Sequence, residues 1–165
     1  MTDPVSVHRR QHNWRLLLGA CLFAIACGGP GRPDVLAFEP VLEEDNRLVT
    51  LLDESTTLAV RDRPSAVRDI RTVVLGRAQA NAAACGNLQV IHPTAVALRT
   101  RLCGNTVERE ESTRALMLAL EAGDATGVSS AIRRMIALAR AMDQLEADVQ
   151  RARNQQPTSG CARRG

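Results

Sequence analysis

Apolar residues recur at alternating intervals of three and four near the end of the chain, and this spacing constrains the fold more than any other feature. The series is Val128, Ala131, Met135, Leu138, Met142, Leu145 and Val149. Side chains at these intervals share one face of an α-helix, whereas a strand alternates at every second position. Nearly three heptads are typical of a coiled-coil dimer or a bundle. Ile132, Ile136 and Ala139 widen the apolar face beyond a two-stranded seam, which favours packing inside a bundle.

Two further helices are predicted upstream by the same spacing. A helix over about 41–60 presents Leu48, Leu51, Leu52, Ser55 and Leu58 on one face. After a start signal at Pro64 and Ser65, a helix over about 65–85 presents Val67, Ile70, Val73, Val74, Ala78 and Asn81. Gly86 then suits the left-handed conformation that often ends a helix.

Between these helices and the last one, the sequence predicts a short helix and a longer one. The short helix follows Pro93 and ends at Cys103. Asn105, with Glu108 three residues later, resembles a capping box that opens the next helix, which ends at Gly123. Short connections favour antiparallel neighbours, and no segment alternates as a strand would. We therefore expect an all-α antiparallel bundle of about four main helices plus one short helix.

The first 26 residues have the pattern of an export signal. Arg9, Arg10 and Arg15 precede an apolar stretch from Leu16 to Ala26. At roughly ten residues this stretch suits a signal peptide and is about half the length that a bilayer-spanning helix needs. The glycines and prolines of residues 28–33 do not extend a helix. This segment is predicted to be a cleavable leader.

The end of the leader resembles the lipobox of bacterial lipoprotein precursors. Ala24, Ile25 and Ala26 precede Cys27, which the resemblance makes the lipid-modified first residue of the mature protein. Residues 18–20 before Cys21 match the motif more closely, but cleavage there would leave a very short apolar run. An ordinary secretory leader is the remaining alternative. Gly28 is not the Asp associated with inner-membrane retention in such lipoproteins, so the resemblance favours the outer membrane, with the domain facing the periplasm.

The chain accordingly divides into a leader (1–26), a flexible tether (27–40), a helical bundle (41–153) and a mobile polar tail (154–165). After removal of the leader, 18 Arg face 17 acidic residues, and there is no Lys. So balanced a charge does not attract nucleic acid. Phe38 is the only aromatic residue beyond the leader, so a platform for stacking bases is also missing.

Three cysteines remain beyond the leader, and exported cysteines usually pair. Cys85 and Cys103 each lie in the phrase Cys-Gly-Asn at a predicted helix end. We expect them to form a disulfide, closing a loop that contributes about 3 kcal/mol on the chain-entropy model. The alternative joins Cys161 to one of them. A metal site made of Cys85, Cys103 and His92 matches no zinc spacing.

His92 is the only histidine beyond the leader, and it precedes Pro93, where a loop or helix-cap role is expected. With a methionine such as Met117 it would form a ligand or haem site, although no haem attachment motif is present. No nucleophile motif and no phosphate-binding loop accompany it. Glu108, Glu110 and Glu111, beside Arg109 and Arg114, have the pattern of a solvated helix face. The sequence therefore predicts neither an enzyme nor a bound cofactor.

The function predicted from these features is that of a membrane-tethered cell-envelope lipoprotein whose helical domain is a protein-interaction or accessory module. Two groups of arginines, Arg133, Arg134 and Arg140 on the last helix and Arg99 and Arg101 on the short one, could contact an acidic partner. The alternative is that they only form a solvent-exposed helix surface. A ligand- or cofactor-binding periplasmic bundle is the alternative, and a hydrolytic enzyme is a second one. The partner and the oligomeric state are not predicted.

Overall fold

Residues 35–154 are described by the computed structural model, and within this range the chain forms four long helices without a strand. Helix α1 is Glu39–Arg61, and helix α2 runs through Arg63–Asp69, a π-helical turn at Ile70–Val74, and Leu75–Gly86. Helix α3 is Pro93–Ala122 and helix α4 is Ala125–Asn154. Each helix packs against the next along the chain, with connections of one to six residues. The predicted all-α bundle is confirmed.

The helix ends follow the chemistry of their capping residues. The Asp62 side chain accepts a hydrogen bond from the backbone N–H of Ser65 at 3.1 Å, with Pro64 in the first turn of α2. Asp124 accepts one from the N–H of Thr126 at 3.0 Å, at the start of α4. Each side-chain oxygen satisfies an N–H that has no partner within the helix.

The separate short helix between Pro93 and Cys103 was a wrong prediction. Helix α3 continues through Gly104 and Asn105 for 30 residues, so the capping-box interpretation of Asn105 and Glu108 was also wrong. A glycine inside a helix costs about 1 kcal/mol relative to alanine. Here the packing of both halves of α3 against α2 and α4 outweighs that local preference.

The two glycines predicted to end helices behave differently. Gly123 has φ 68° and ends α3 in the left-handed conformation. Gly86 remains helical, and α2 ends at Asn87 with φ −86°. The left-handed cap predicted for Gly86 was therefore wrong: the Asn87 N–H donates to the Ala83 and Ala84 carbonyls without a left-handed residue, and Arg99 donates to the Gly86 carbonyl at 2.9 Å from α3.

The predicted tether extends too far into the domain. Val35 and Phe38 are buried, and the Phe38 N–H donates to the Val35 carbonyl in a turn that leads into α1. Residues 35–40 therefore belong to the bundle, since Phe38 fills its core. The leader, Cys21, Cys27, residues 28–34 and the tail with Cys161 lie outside the described residues.

The interior contains two apolar clusters, one towards each end of the bundle. The first cluster joins the start of α1, the end of α2, the start of α3 and the end of α4: Val35, Phe38, Val41, Leu42, Cys85, Ala95, Leu98, Leu102, Met142, Leu145, Val149 and Ala152. The second cluster joins the opposite ends: Leu48, Leu52, Val67, Ile70, Val74, Ala78, Leu116, Met117, Leu120, Ala131 and Met135. The heptad positions of α4 from Ala131 to Val149 are buried, as predicted for a bundle.

Candidate functional site

An open groove runs between α1 and α4, the first and last helices of the bundle. Its central part is a cleft of about 160 Å³ with mostly apolar walls. The lining residues are Val49, Leu52, Asp53 and Thr56 from α1, Arg109 from α3, and Ile132, Met135, Ile136 and Ala139 from α4. Towards the start of α1 the groove becomes polar, and the Arg153 guanidinium bridges it by an ion pair to Glu39 at 2.7 Å.

The apolar side chains on the two walls of this cleft are not fully covered by the bundle. Val49 is 37% exposed on α1, and Ile136 is 49% exposed on α4. Ile132 and Ala139 are half-buried beside them. The residues that widen the apolar face of α4 thus line the groove, instead of being enclosed within the bundle as predicted. They leave a surface that another apolar chain segment can cover.

A buried ion pair forms the floor of the cleft. Arg109 donates from Nε to Oδ1 of Asp45 at 2.9 Å and from Nη2 to Oδ2 at 2.6 Å. Both side chains are 2% exposed. The bidentate geometry matches the planar guanidinium to the carboxylate and compensates the removal of both charges from water. The prediction that Arg109 lies on a solvated helix face was wrong, whereas its neighbour Arg114 is exposed as expected.

Other buried polar groups surround this pair and separate the two apolar clusters. The Asn81 amide donates to the Val41 carbonyl at 3.2 Å and ties α2 to α1. The hydroxyls of Thr106 and Thr113 donate to carbonyls one turn earlier in α3, at 3.0 and 2.8 Å. The Ser112 hydroxyl is buried without a hydrogen-bond partner in the described part of the chain. A polar layer therefore crosses the middle of the bundle.

One exposed carboxylate lies at the edge of the cleft. Asp53 forms no ion pair with any side chain among residues 35–154, and its backbone carbonyl accepts the Thr56 hydroxyl at 2.9 Å. The cleft thus combines apolar walls with one uncompensated negative charge. That chemistry fits an apolar segment carrying a cationic side chain.

Two carboxylates outside the cleft, Glu44 on α1 and Asp148 on α4, are engaged by arginines. Arg77 donates to Glu44 at 2.7 and 2.8 Å, and this hydrogen bonding holds the pKa of Glu44 below its ordinary value of 4.5. The hydrogen bond from Arg101 likewise lowers the pKa of Asp148. These pairs join α2 to α1 and α3 to α4, so they stabilise the frame on which the cleft is built.

The disulfide between Cys85 and Cys103 is confirmed, with an S–S distance of 2.14 Å and a Cα–Cα distance of 5.4 Å. Cys103 lies ten residues into α3, about 15 Å along the helix axis. The extended segment 87–92 covers this distance, because six residues reach about 20 Å. Both cysteines are consumed by this bond, so neither supplies a thiolate to a metal with His92.

His92 and Met117 are not brought together. Both belong to the same helix region, 25 residues apart, which corresponds to about 37 Å along α3. The His92 Nδ1 accepts a hydrogen bond from the N–H of Thr94 at 3.3 Å, so the imidazole caps α3. Met117 is buried in the second cluster. One small ligand therefore does not contact both residues.

The arginines named as candidates for partner binding divide into two groups. Arg99 donates to the Gly86 carbonyl, and Arg101 pairs with Asp148 at 2.6 Å, so both have roles within the bundle. Arg133, Arg134 and Arg140 are exposed on α4 and form no ion pair within the described range. Only the second group is available to an acidic partner.

No helix among residues 35–154 is long and apolar enough to cross a membrane. No protein-family model matches the chain, and no curated protein and no solved structure matches it either.

Proposed function

We propose that this chain is a cell-envelope lipoprotein, tethered to the outer membrane through Cys27, whose helical domain binds an envelope protein partner in the cleft between α1 and α4. The observation that carries the interaction role is the pair of partly exposed apolar walls, with Val49 on α1 and Ile136 on α4. The proposed membrane attachment is supported by the resemblance of the residues before Cys27 to a lipobox.

The size of the cleft favours a protein segment over a small molecule. Pockets for drug-sized ligands enclose about 300–1,000 Å³. The cleft measures about 160 Å³, below that range, and the polar part of the groove towards the start of α1 measures about 340 Å³, so the groove is elongated and suits the side chains of a docked segment. The separation of His92 from Met117 also weighs against the alternative of a cofactor held by those two residues.

The chemistry of the walls defines the partner segment. Covering Val49 and Ile136 removes apolar area from water at roughly 25 cal/mol per Å², which drives docking without directional preference. Asp53 adds a directional contact, because a Lys or Arg on the segment can form an ion pair with its carboxylate. We expect an amphipathic helix, laid along the groove in the manner of helix-in-groove recognition.

Site-specific photo-crosslinking in intact cells tests the interaction. A photoreactive amino acid at Ile136 should give a discrete crosslinked product, and Val49→Glu should remove it without changing the thermal unfolding of the domain. The matched control carries the same group at Val60, which is 88% exposed and lies outside the cleft. Equal products at both positions, or a product at Ile136 that survives Val49→Glu, would contradict binding in the cleft.

Metabolic labelling with a palmitate analogue tests the tether separately. We expect label in the wild-type protein and in Cys21→Ala, and none in Cys27→Ala. Label lost only in Cys21→Ala would move the lipid to Cys21. An unlabelled wild-type protein would exclude a lipoprotein altogether.

A further inference from the structure

We infer that the end of the bundle containing the segment 87–92 contacts the membrane surface directly, with Ile91 entering the lipid interface. This inference rests on the proposed lipid attachment at Cys27. It adds an orientation to the tether: a defined face of the domain lies on the bilayer, and the α1/α4 cleft runs away from it.

The first line of argument is where the chain enters the bundle. Val35 and Phe38 lie in the first cluster, together with the residues that flank segment 87–92 on both sides, Cys85 and Ala95. The entry point of the chain and this segment are therefore at the same end. Only eight peptide units separate Cys27 from Val35, so covalent geometry keeps the two Cα atoms at most about 28 Å apart.

The second observation is an exposed apolar side chain at that end. Ile91 is 89% exposed, the highest value among the large apolar residues of the described chain. Val96, one turn into α3, is 42% exposed, and Pro93 between them is also exposed. Meanwhile Leu88 and Val90 pack against the first cluster and hold the segment to the domain. Ile91 is thus presented outward from a fixed backbone.

Charge at this end is compatible with anionic headgroups. No Asp or Glu occurs between Ile70 and Val107, although the whole chain has 18 acidic residues. Arg99 and Arg101, near the start of α3, are engaged within the bundle by the Gly86 carbonyl and by Asp148, and Arg153 compensates Glu39 at the start of α1. The stretch around the exposed isoleucine, residues 71–106, therefore carries no carboxylate of its own to repel a negatively charged bilayer. Each buried methylene of Ile91 then adds to the attraction.

A single tryptophan reporter tests this orientation, because the only Trp of the chain, Trp14, lies in the predicted leader. Ile91→Trp and Val60→Trp are prepared in a Trp14→Phe background. Val60, 88% exposed, matches Ile91 in exposure but lies at the end of α1, about 31 Å along the helix from its start. The full lipidated proteins are reconstituted into phosphatidylethanolamine and phosphatidylglycerol vesicles, with and without brominated acyl chains.

We expect the tryptophan emission of the Ile91→Trp protein to shift to shorter wavelength on reconstitution and to be quenched by brominated lipid, and the emission of the Val60→Trp protein to do neither. Vesicle flotation and intact mass report lipid attachment independently. Protein that floats and carries lipid but shows no quenching at position 91, or equal quenching at both positions, overturns the orientation and leaves the tether intact. Protein without lipid overturns both. A shift at position 91 that brominated lipid does not quench assigns Ile91 to a protein contact and also overturns the inference.

Discussion

Replacing Arg109 with methionine leaves the Asp45 carboxylate buried without its counter-ion, and we expect the free energy of unfolding to fall by about 3–5 kcal/mol. The structure supports this magnitude. The pair forms two charge-assisted hydrogen bonds, at 2.9 and 2.6 Å, and each such bond is worth about 1.5–3 kcal/mol. A domain of this size has a total stability of about 5–15 kcal/mol, so the substitution removes a large share of it.

Urea denaturation followed by far-UV circular dichroism measures the effect. Arg114→Met is the matched control, because Arg114 lies on the same helix and pairs with Glu110 at 2.7 Å in a half-exposed position. We expect that control to change the free energy of unfolding by less than about 0.5 kcal/mol. In thermal unfolding, Arg109→Met should lower the melting temperature by roughly 10–20 °C.

The double variant Asp45→Leu with Arg109→Met separates the cost of an orphaned charge from the value of the pair. Both charges are then absent, and apolar side chains occupy the space. We expect its stability to lie within about 1 kcal/mol of the wild type or above it, since buried ion pairs gain little over well-packed apolar residues. If Arg109→Met lost less than about 1 kcal/mol, or if the double variant were the least stable of the three, the reasoning from burial would be refuted.

Three further predictions concern the frame of the bundle. Replacing both disulfide cysteines with alanine should lower the stability by about 3 kcal/mol. A reductant should lower the melting temperature of the wild type and leave that of this variant unchanged. Gly123→Ala should lower the free energy of unfolding by about 1–2 kcal/mol, because Gly123 has a positive φ. Gly104→Ala should raise it by about 0.5–1 kcal/mol, because Gly104 lies inside a helix and an added Cβ meets nothing within 4 Å. Equal effects of the two substitutions in urea denaturation would contradict this. Arg77 lowers the pKa of Glu44, so the ion pair should add a small contribution to the free energy of unfolding above pH 4.5, which is lost as the pH falls below that value. Glu44→Gln should remove this contribution. A difference in stability between this variant and the wild type that persists in strong acid would contradict the role of the Glu44–Arg77 pair.

The parts of the fold that followed from sequence are those in which apolar spacing decides the outcome. The periodic residues of α4 are buried from Ala131 to Val149, and the predicted limits of α1 and α2 lie within two residues of the observed ones. The disulfide was also predicted, from the phrase Cys-Gly-Asn at two predicted helix ends, although Cys103 lies within α3 and not at its end.

Prediction failed in α3, where polar residues occupy the buried face. Leu102, Thr106, Arg109, Thr113 and Leu116 recur at helical intervals and are all buried. The three central polar residues interrupt the apolar spacing, so the segment looked like two helices with a solvated face between them. The available signal was that these polar residues continue the interval of the leucines, which suggests a buried polar layer. No local feature of the sequence pairs Arg109 with Asp45, which is 64 residues earlier.

The Asp45–Arg109 pair also bears on the proposed partner site, because it restricts how α1 can lie against α3. Apolar clusters alone tolerate a shift of one helix by a turn or a heptad, since one leucine replaces another at little cost. A shift of α1 would separate Asp45 from Arg109 and leave two unpaired charges in a buried layer, at several kcal/mol each. The same shift would move Val49 and Asp53 away from Ile132 and Ile136 and so dismantle the cleft. The ion pair below the cleft is therefore the feature of the interior that ties the alignment of the two walls to the stability of the domain.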